Sequence, residues 1–145
     1  MIIIDRISNI KPGQCDETWA IVRSFKGTSP WIQQVADLSP SSALFREYHT
    51  NWKPNGLWNQ DTFQKLYVPS FLRQIAQDEQ AIAKLNELWR KDKAGETIGL
   101  VCFCTDETLC HRSIIAGILQ GVGCNVVTRT GADYSHYWTQ FQNLK

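Results

Sequence analysis

The stretch TIGLVCFCTDETLCHRSIIAGILQGVGCNVVTRT, residues 97–130, decides the fold. An apolar, β-branched run over 97–104 is followed by a polar loop, a helical apolar pattern that a pair of glycines ends, and a second apolar run over 124–130. A strand, a helix and a strand in this order form a βαβ unit, in which the two strands are parallel and the crossover is right-handed. The stretch therefore predicts part of a parallel sheet.

The rest of the chain extends this pattern. Apolar runs at residues 1–4 and 18–25 predict two more strands, and continuous apolar strands are typical of parallel sheets that helices cover on both faces. Apolar residues recur at helical spacing in four segments, residues 38–51, 59–76, 78–95 and 132–145. We therefore predict an α/β fold, a single domain over residues 1–145 whose mainly parallel sheet is covered by helices on both faces.

The charge balance limits the classes of partner. Lys and Arg number 15 against 14 Asp and Glu, so the chain lacks the global field with which basic proteins hold nucleic acid or anionic lipid. A charged ligand must therefore be bound at a local site. No stretch approaches the roughly 20 apolar residues of a membrane span, and the N-terminus lacks the pattern of a signal peptide. We expect a cytoplasmic protein with no membrane partner.

The five cysteines give a second indication of compartment. They form an odd set, and three of them fall within nine residues, Cys102, Cys104 and Cys110. A secreted disulfide scaffold usually has an even set spread over a loop-rich fold. The pattern therefore favours reduced thiols inside a cell.

The loop between residues 104 and 111 is the first candidate site. It follows a strand of the predicted parallel sheet and leads into a helix, and ligands of such sheets bind outside the carboxyl ends of the strands. The free N–H groups of the helix N-terminus favour an anion, and the side chains of Arg112 and Ser113 add donors. A phosphate, sulfate or carboxylate fits this description. The polar residues of the loop are equally typical of helix capping, and that alternative stays open.

Thiol chemistry is a second interpretation of the same loop. Cys104 at the strand end and Cys110 at the helix start lie where a helix N-terminus and a basic neighbour lower a thiol pKa. Beside Arg112, a charged imidazole is disfavoured at His111, which leaves a neutral ring able to accept a proton. The Cys-x5-Arg spacing of cysteine phosphatases and rhodaneses is absent, which argues against their chemistry.

A metal is the third interpretation. Cys102, Cys104, Cys110 and His111 are the residue types of a Cys3His site. Structural zinc sites usually carry two ligand pairs, each two to four residues apart, which this spacing does not reproduce. The sequence therefore predicts no metal site, and it identifies no cofactor.

The run LVCFCTDETLCHRSIIAGIL, residues 100–119, resembles the signature of the DUF488 family, in which a cysteine-containing strand, an acidic loop and Cys-His-Arg at a helix start follow one another. The likeness extends upstream to the YeaO-like branch of that family through VRSFKG, LSPSSALFREY and FQKLYVPSFL. The resemblance implies an α/β parallel-sheet domain, but it brings no established reaction.

Individual residues carry the resemblance and its departures. Cys110, His111 and Arg112 match the family motif, and Arg23 matches the arginine at the end of the first strand of that pattern. Where the family often has an aspartate before this arginine, the chain has Val22. If the two strands are neighbours, Arg23 and the Cys-His-Arg motif converge on one electropositive crevice.

These observations predict a protein that binds a small anionic ligand, a phosphate-bearing molecule or nucleotide, at that crevice. The predicted anion ligands are Arg23, Arg112 and Ser113, and the candidate catalytic residues are His111, Cys110 and Cys104. Whether the protein is an enzyme stays open. The alternatives are a redox-responsive module that joins Cys104 to Cys110, and a nucleic-acid module in which tryptophans of the loop HTNWKPNGLW, residues 49–58, stack on bases.

Overall fold

A computed structural model of the protein describes residues 1–25 and 29–144. Its centre is a sheet of five parallel strands in the spatial order β3-β2-β4-β1-β5. The strands are β1 (Ile2–Arg6), β2 (Glu17–Ala20), β3 (Ile32–Gln34), β4 (Ile98–Cys102) and β5 (Val126–Val127). The α/β class and the parallel sheet that the sequence predicts are confirmed.

Six α-helices and two π-helical turns surround the sheet in the described residues. The α-helices are α1 (Ser42–Glu47), α2 (Gln60–Thr62), α3 (Val68–Ala76), α4 (Glu79–Lys93), α5 (His111–Gly121) and α6 (His136–Gln142). Wider π-helical turns, Tyr48–Trp52 and Phe63–Tyr67, extend α1 and α2. No helix of the described residues is long and apolar enough to cross a membrane.

The core is formed where the helices pack on the sheet. All five residues of β4 are buried, as a central strand covered on both faces requires. Trp19, Phe71 and Ile114, from β2, α3 and α5, are fully buried in the same cluster. In α4, by contrast, Trp89 is 41% exposed, and its indole N–H donates to the carbonyl of Val122. Trp89 therefore stays outside the core, although its helical spacing from Leu85 and Leu88 would place it on their apolar face.

The N-terminal cap of α4 gives a direct stability prediction. One carboxylate oxygen of Asp78 accepts hydrogen bonds from the backbone N–H groups of Gln80 and Ala81, 2.9 and 3.3 Å away. We expect Asp78→Ala to lower the free energy of unfolding by about 1 kcal/mol, because these N–H groups lose their acceptor. Urea denaturation measures the loss. Asp78→Asn keeps an accepting oxygen and should stay close to the wild type; equal losses in both variants would contradict this role of the side chain.

Candidate functional site

The carboxyl ends of β2 and β4 lie side by side. These strands pair in parallel, with Ala20 opposite Val101, so the segment that leaves β2 runs beside the loop that leaves β4. Across this junction, the rings of Phe25 and Phe103 stack with centroids 6.5 Å apart. The neighbouring strands that the predicted crevice requires are therefore present.

A pocket of about 710 Å³ opens at this edge of the sheet. Its floor contains Cys102, Cys104 and Cys110, and Arg23 lies on the side of β2. The opposite wall comes from the π-helical turns and the loop between them, and it is formed by Tyr48, His49, Lys53, Trp58 and Tyr67. The pocket therefore combines a thiol floor with aromatic and cationic walls.

The aromatic wall is a connected network. The ring of Trp58 meets Tyr48 edge-on at 4.7 Å and Tyr67 at 5.4 Å between centroids. Burial raises the pKa of Tyr67 well above its usual value, so its hydroxyl stays protonated. Rings that support one another in this way form a wall that is in place before a ligand arrives.

The three cysteines of the floor converge although they come from different elements. Cys102 ends β4, Cys104 lies in the loop, and Cys110 is the N-cap residue of α5. All three sulfur atoms lie within 4.8 Å of one another, and those of Cys102 and Cys110 are 3.0 Å apart. The distance between Cys102 and Cys110 makes them a second candidate pair for a reversible disulfide, and the predicted pairing of Cys104 with Cys110 stays a prediction. We call these three residues the thiol cluster.

Hydrogen bonds within the thiol cluster shift the pKa values of its three members in different directions. Hydrogen bonds from the thiols of Cys104 and Cys110 lower the pKa of Cys102 far below its usual value, and the positive charge of Arg112 adds to the effect. The same interaction with Cys102 raises the pKa of Cys104 to about 12, and burial raises the pKa of Cys110. The hydrogen bonds therefore favour Cys102 as the site of the negative charge, a residue that the sequence places in the Cys3His set but not among the candidate catalytic residues.

Arg112 contacts the thiol cluster but does not line the first pocket. Its side chain is 1% exposed, and Nη1 donates to the sulfur of Cys102 at 3.0 Å and to the carbonyl of Cys104 at 2.7 Å. It lines a second hollow of about 470 Å³, on the side of β1, together with Arg6 and Arg129. Arg23 lines the first pocket and Arg112 the second, so the structure does not bring the two guanidinium groups to one hollow.

Arg23 is placed for a ligand of the first pocket. Its side chain is exposed, with one donor 3.3 Å from the carbonyl of Pro40 and the guanidinium carbon 6.0 Å from the ring centroid of Phe45. Within residues 1–25 and 29–144, no carboxylate forms an ion pair with it. Most of its N–H donors are therefore available.

His111 is held by the backbone of the neighbouring strand segment. Its ring is buried, and Nε2 lies 2.6 Å from the carbonyl oxygen of Ile21. A carbonyl only accepts, so Nε2 carries the proton and Nδ1 presents its lone pair, 3.7 Å from the sulfur of Cys110. Burial lowers the pKa of His111, which favours the neutral ring. The imidazole thus faces the thiol cluster and not bulk solvent.

Ser113 lies away from both hollows. It is fully buried, and its hydroxyl donates to the carbonyl of Cys110 at 2.8 Å. This bond joins the hydroxyl to the backbone three residues earlier and leaves no side chain of the described residues as a cap of α5. Ser113 lines neither of the two hollows described above, and its predicted anion contact stays a prediction.

Several residues of the pocket carry no motif that sequence analysis detects. Lys53 and Trp58 belong to the loop that the sequence marked as a Trp-bearing segment, whereas Tyr48 and Tyr67 read as helix-core residues. The tyrosines face the pocket because they lie in π-helical turns, which are frequent at functional sites. The remaining tryptophan of the loop, Trp52, is buried in the core.

A comparison with protein families finds a match over most of the chain. A family model described as the active DUF488-N3 subclade, DUF488-N3a, matches residues 12–123, well over half of the chain. The chain belongs to the DUF488 family. The matched part of this DUF488 protein includes β2, β4 and the whole thiol cluster. No curated protein and no solved structure matches it.

Proposed function

We propose that this DUF488 protein binds a small molecule that carries an aromatic ring and an anionic group, such as a nucleotide, in the 710 Å³ pocket at the carboxyl ends of β2 and β4. The observation that carries the proposal is the composition of the lining, which combines an aromatic network with two cationic side chains, Arg23 and Lys53. The volume suits one small ligand, since pockets for such ligands range from about 300 to 1,000 Å³.

The aromatic wall supports recognition of a ring. Trp58 is partly exposed and belongs to the lining, with Tyr48 and Tyr67 at its edges. Stacking of a base on an aromatic side chain contributes about 1–3 kcal/mol. Such stacking tolerates any planar ring, so it sets the class of ligand and not its identity.

The cations support recognition of the anionic group. Arg23 offers a planar set of donors, and Lys53 adds a second positive charge with its ammonium 5.8 Å from the ring centroid of Tyr48. A guanidinium suits a phosphate because two parallel N–H groups meet two oxygen atoms. The charge is local, as the near-neutral chain requires.

Free thiols at the floor favour the reducing cytoplasm as the compartment.

A reaction on the bound ligand is part of the proposal. The description of the family as active and the thiols on the floor support it. Cys104 is the exposed thiol of the cluster, whereas Cys110 and His111 lie deeper and contact one another. The catalytic roles that the sequence predicts for these three residues stay predictions.

Titration calorimetry with ribonucleoside monophosphates tests the binding proposal, with the free nucleosides and inorganic phosphate as separate ligands. We expect Arg23→Ala to weaken monophosphate binding about 10- to 100-fold while nucleoside binding is unchanged, because a charge-assisted contact is lost. Trp58→Ala should weaken binding of both ligands about 10-fold or more.

Arg90→Ala is the matched control, since Arg90 is exposed on α4 and does not line the pocket. If Arg23→Ala and Arg90→Ala bind every monophosphate as the wild type does, the anion site is not where we place it. If a short single-stranded oligonucleotide binds far more tightly than any monophosphate, and with a steep salt dependence, the protein is a nucleic-acid module instead.

A further inference from the structure

We propose that the thiol cluster is a zinc site with three cysteine ligands and one coordination position open to the pocket. The inference concerns Cys102, Cys104 and Cys110 alone and does not require the nucleotide-like ligand proposed above. The spacing of these cysteines along the chain argues against a metal site. That spacing does not determine how far apart their sulfur atoms lie in the folded protein. The three sulfur atoms meet because the loop after β4 turns back on itself.

The separation of the sulfur atoms fits a single ion. All three lie within 4.8 Å of one another. Zinc–sulfur bonds of about 2.3 Å place two sulfur atoms of a tetrahedral site roughly 3.8 Å apart. The closest pair, Cys102 and Cys110 at 3.0 Å, has to open by less than about 1 Å to reach that spacing. Side-chain rotation supplies such a change.

A buried cationic donor lies against the cluster and balances the charge of a thiolate, the form in which cysteine binds zinc. Nη1 of Arg112 donates to the sulfur of Cys102 at 3.0 Å and lies 3.7 Å from that of Cys110. Its second bond, to the carbonyl of Cys104, fixes the guanidinium against the cluster. Outer-shell donors of this kind orient metal ligands and balance their charge. In an apolar core without a metal, a guanidinium buried beside three thiols would have no ligand to orient and no ligand charge to balance.

The fourth position is left to the pocket. Within the described residues, no histidine or carboxylate joins the three sulfur atoms in the same 4.8 Å span. The cluster lines the pocket, and the thiol of Cys104 is exposed to it. Three protein ligands and an open position are the arrangement of catalytic zinc, whereas structural zinc sites are closed by four. A water molecule or an oxygen of the ligand would occupy the open position.

The test is zinc binding by the 145-residue chain, reduced and free of nucleotide. Mass spectrometry of the metal content and competition with a chromophoric chelator should give one zinc per chain with a Kd below about 1 µM. Each of Cys102→Ser, Cys104→Ser and Cys110→Ser should weaken zinc binding by about 100-fold or more, since loss of an outer-shell partner alone costs about 10- to 100-fold. Cobalt in place of zinc should show the visible bands of a tetrahedral thiolate site.

Cys15→Ser and Cys124→Ser are the matched controls, because neither residue belongs to the cluster. They should bind zinc as the wild type does. The Cys104→Ser variant changes an exposed residue, so it separates loss of the metal from loss of the fold. Wild-type protein that binds no more zinc than the three cluster variants would overturn the inference, as would equal losses in the controls. Monophosphate binding that persists after zinc is removed with a chelator would leave the pocket proposal standing by itself.

Discussion

Alanine in place of Gly117 is expected to lower the free energy of unfolding by about 3 kcal/mol. Gly117 lies in α5 where α6 crosses it, and an added Cβ would overlap the carbonyl oxygen of Tyr134 and lie 2.8 Å from its carbonyl carbon. That oxygen accepts the backbone N–H of Tyr137 at 3.0 Å in the first turn of α6. The obstacle is backbone, so no rotamer change relieves it, and α6 must move away from α5.

The sign of the change separates packing from helix propensity. Alanine at an exposed position in a helix is more stable than glycine by about 1 kcal/mol, so propensity alone predicts a gain. Chemical denaturation measures the difference, and limited proteolysis reports whether α6, His136–Gln142, has been released. A Gly117→Ala protein at least as stable as the wild type, with α6 still protected, would show that the two helices are not in this close contact.

The sequence predicts the sheet well where hydrophobic burial alone determines a strand. The strand β4 is buried along its whole length, and its apolar run is visible without any tertiary information. The edge strands differ. β3, Ile32–Gln34, ends in two exposed glutamines and was not predicted, and β5 is two residues long although an apolar run over 124–130 predicted a longer strand. An edge strand has one neighbour and an exposed face, so pairing defines it more than composition does.

The site is predicted in part, for a geometric reason. Arg23 follows a strand, and strand ends meet at one edge, so its place at the pocket follows from topology. Arg112 is the second residue of α5, and the direction of its side chain depends on how α5 rotates against β1 and β4. That rotation brings its guanidinium to the sulfur of Cys102 from the side of the second hollow. Spacing along the chain cannot specify it.

The pocket wall shows a second limit of sequence patterns. Predicting which face of a helix is buried assumes 3.6 residues per turn. The turns Tyr48–Trp52 and Phe63–Tyr67 are wider, so the faces that the α-helical pattern assigns to the core and to solvent shift along them. Tyr67 consequently meets both the core and the pocket. The residue types of these two segments do not predict the wider turns.

Replacing Glu107 by alanine is expected to cost about 3 kcal/mol of stability and to loosen the thiol cluster. This buried carboxylate accepts the backbone N–H of Arg129 at 2.9 Å, and the hydroxyls of Thr130 and Tyr134 at 2.6 and 2.7 Å. It thereby joins the loop between Cys104 and Cys110 to the segment after β5. Without it, the buried hydroxyl of Tyr134 loses a hydrogen-bond acceptor, and the loop loses its link to the segment after β5. Chemical denaturation measures the first effect.

Alkylation of Cys110 measures the second effect, because this thiol is 1% exposed in the intact fold. Under native conditions and at one fixed pH, labelling of Cys110 should be faster in Glu107→Ala than in the wild type, whereas labelling of Cys124, outside the loop, should change only as much as global unfolding requires. Glu79→Gln alters an exposed carboxylate on α4 and should stay within about 0.5 kcal/mol of the wild type. If Glu107→Ala matches that control in stability and in labelling, the loop folds back without the help of its carboxylate, and the convergence of the three sulfur atoms must come from the packing of β4 and α5 alone.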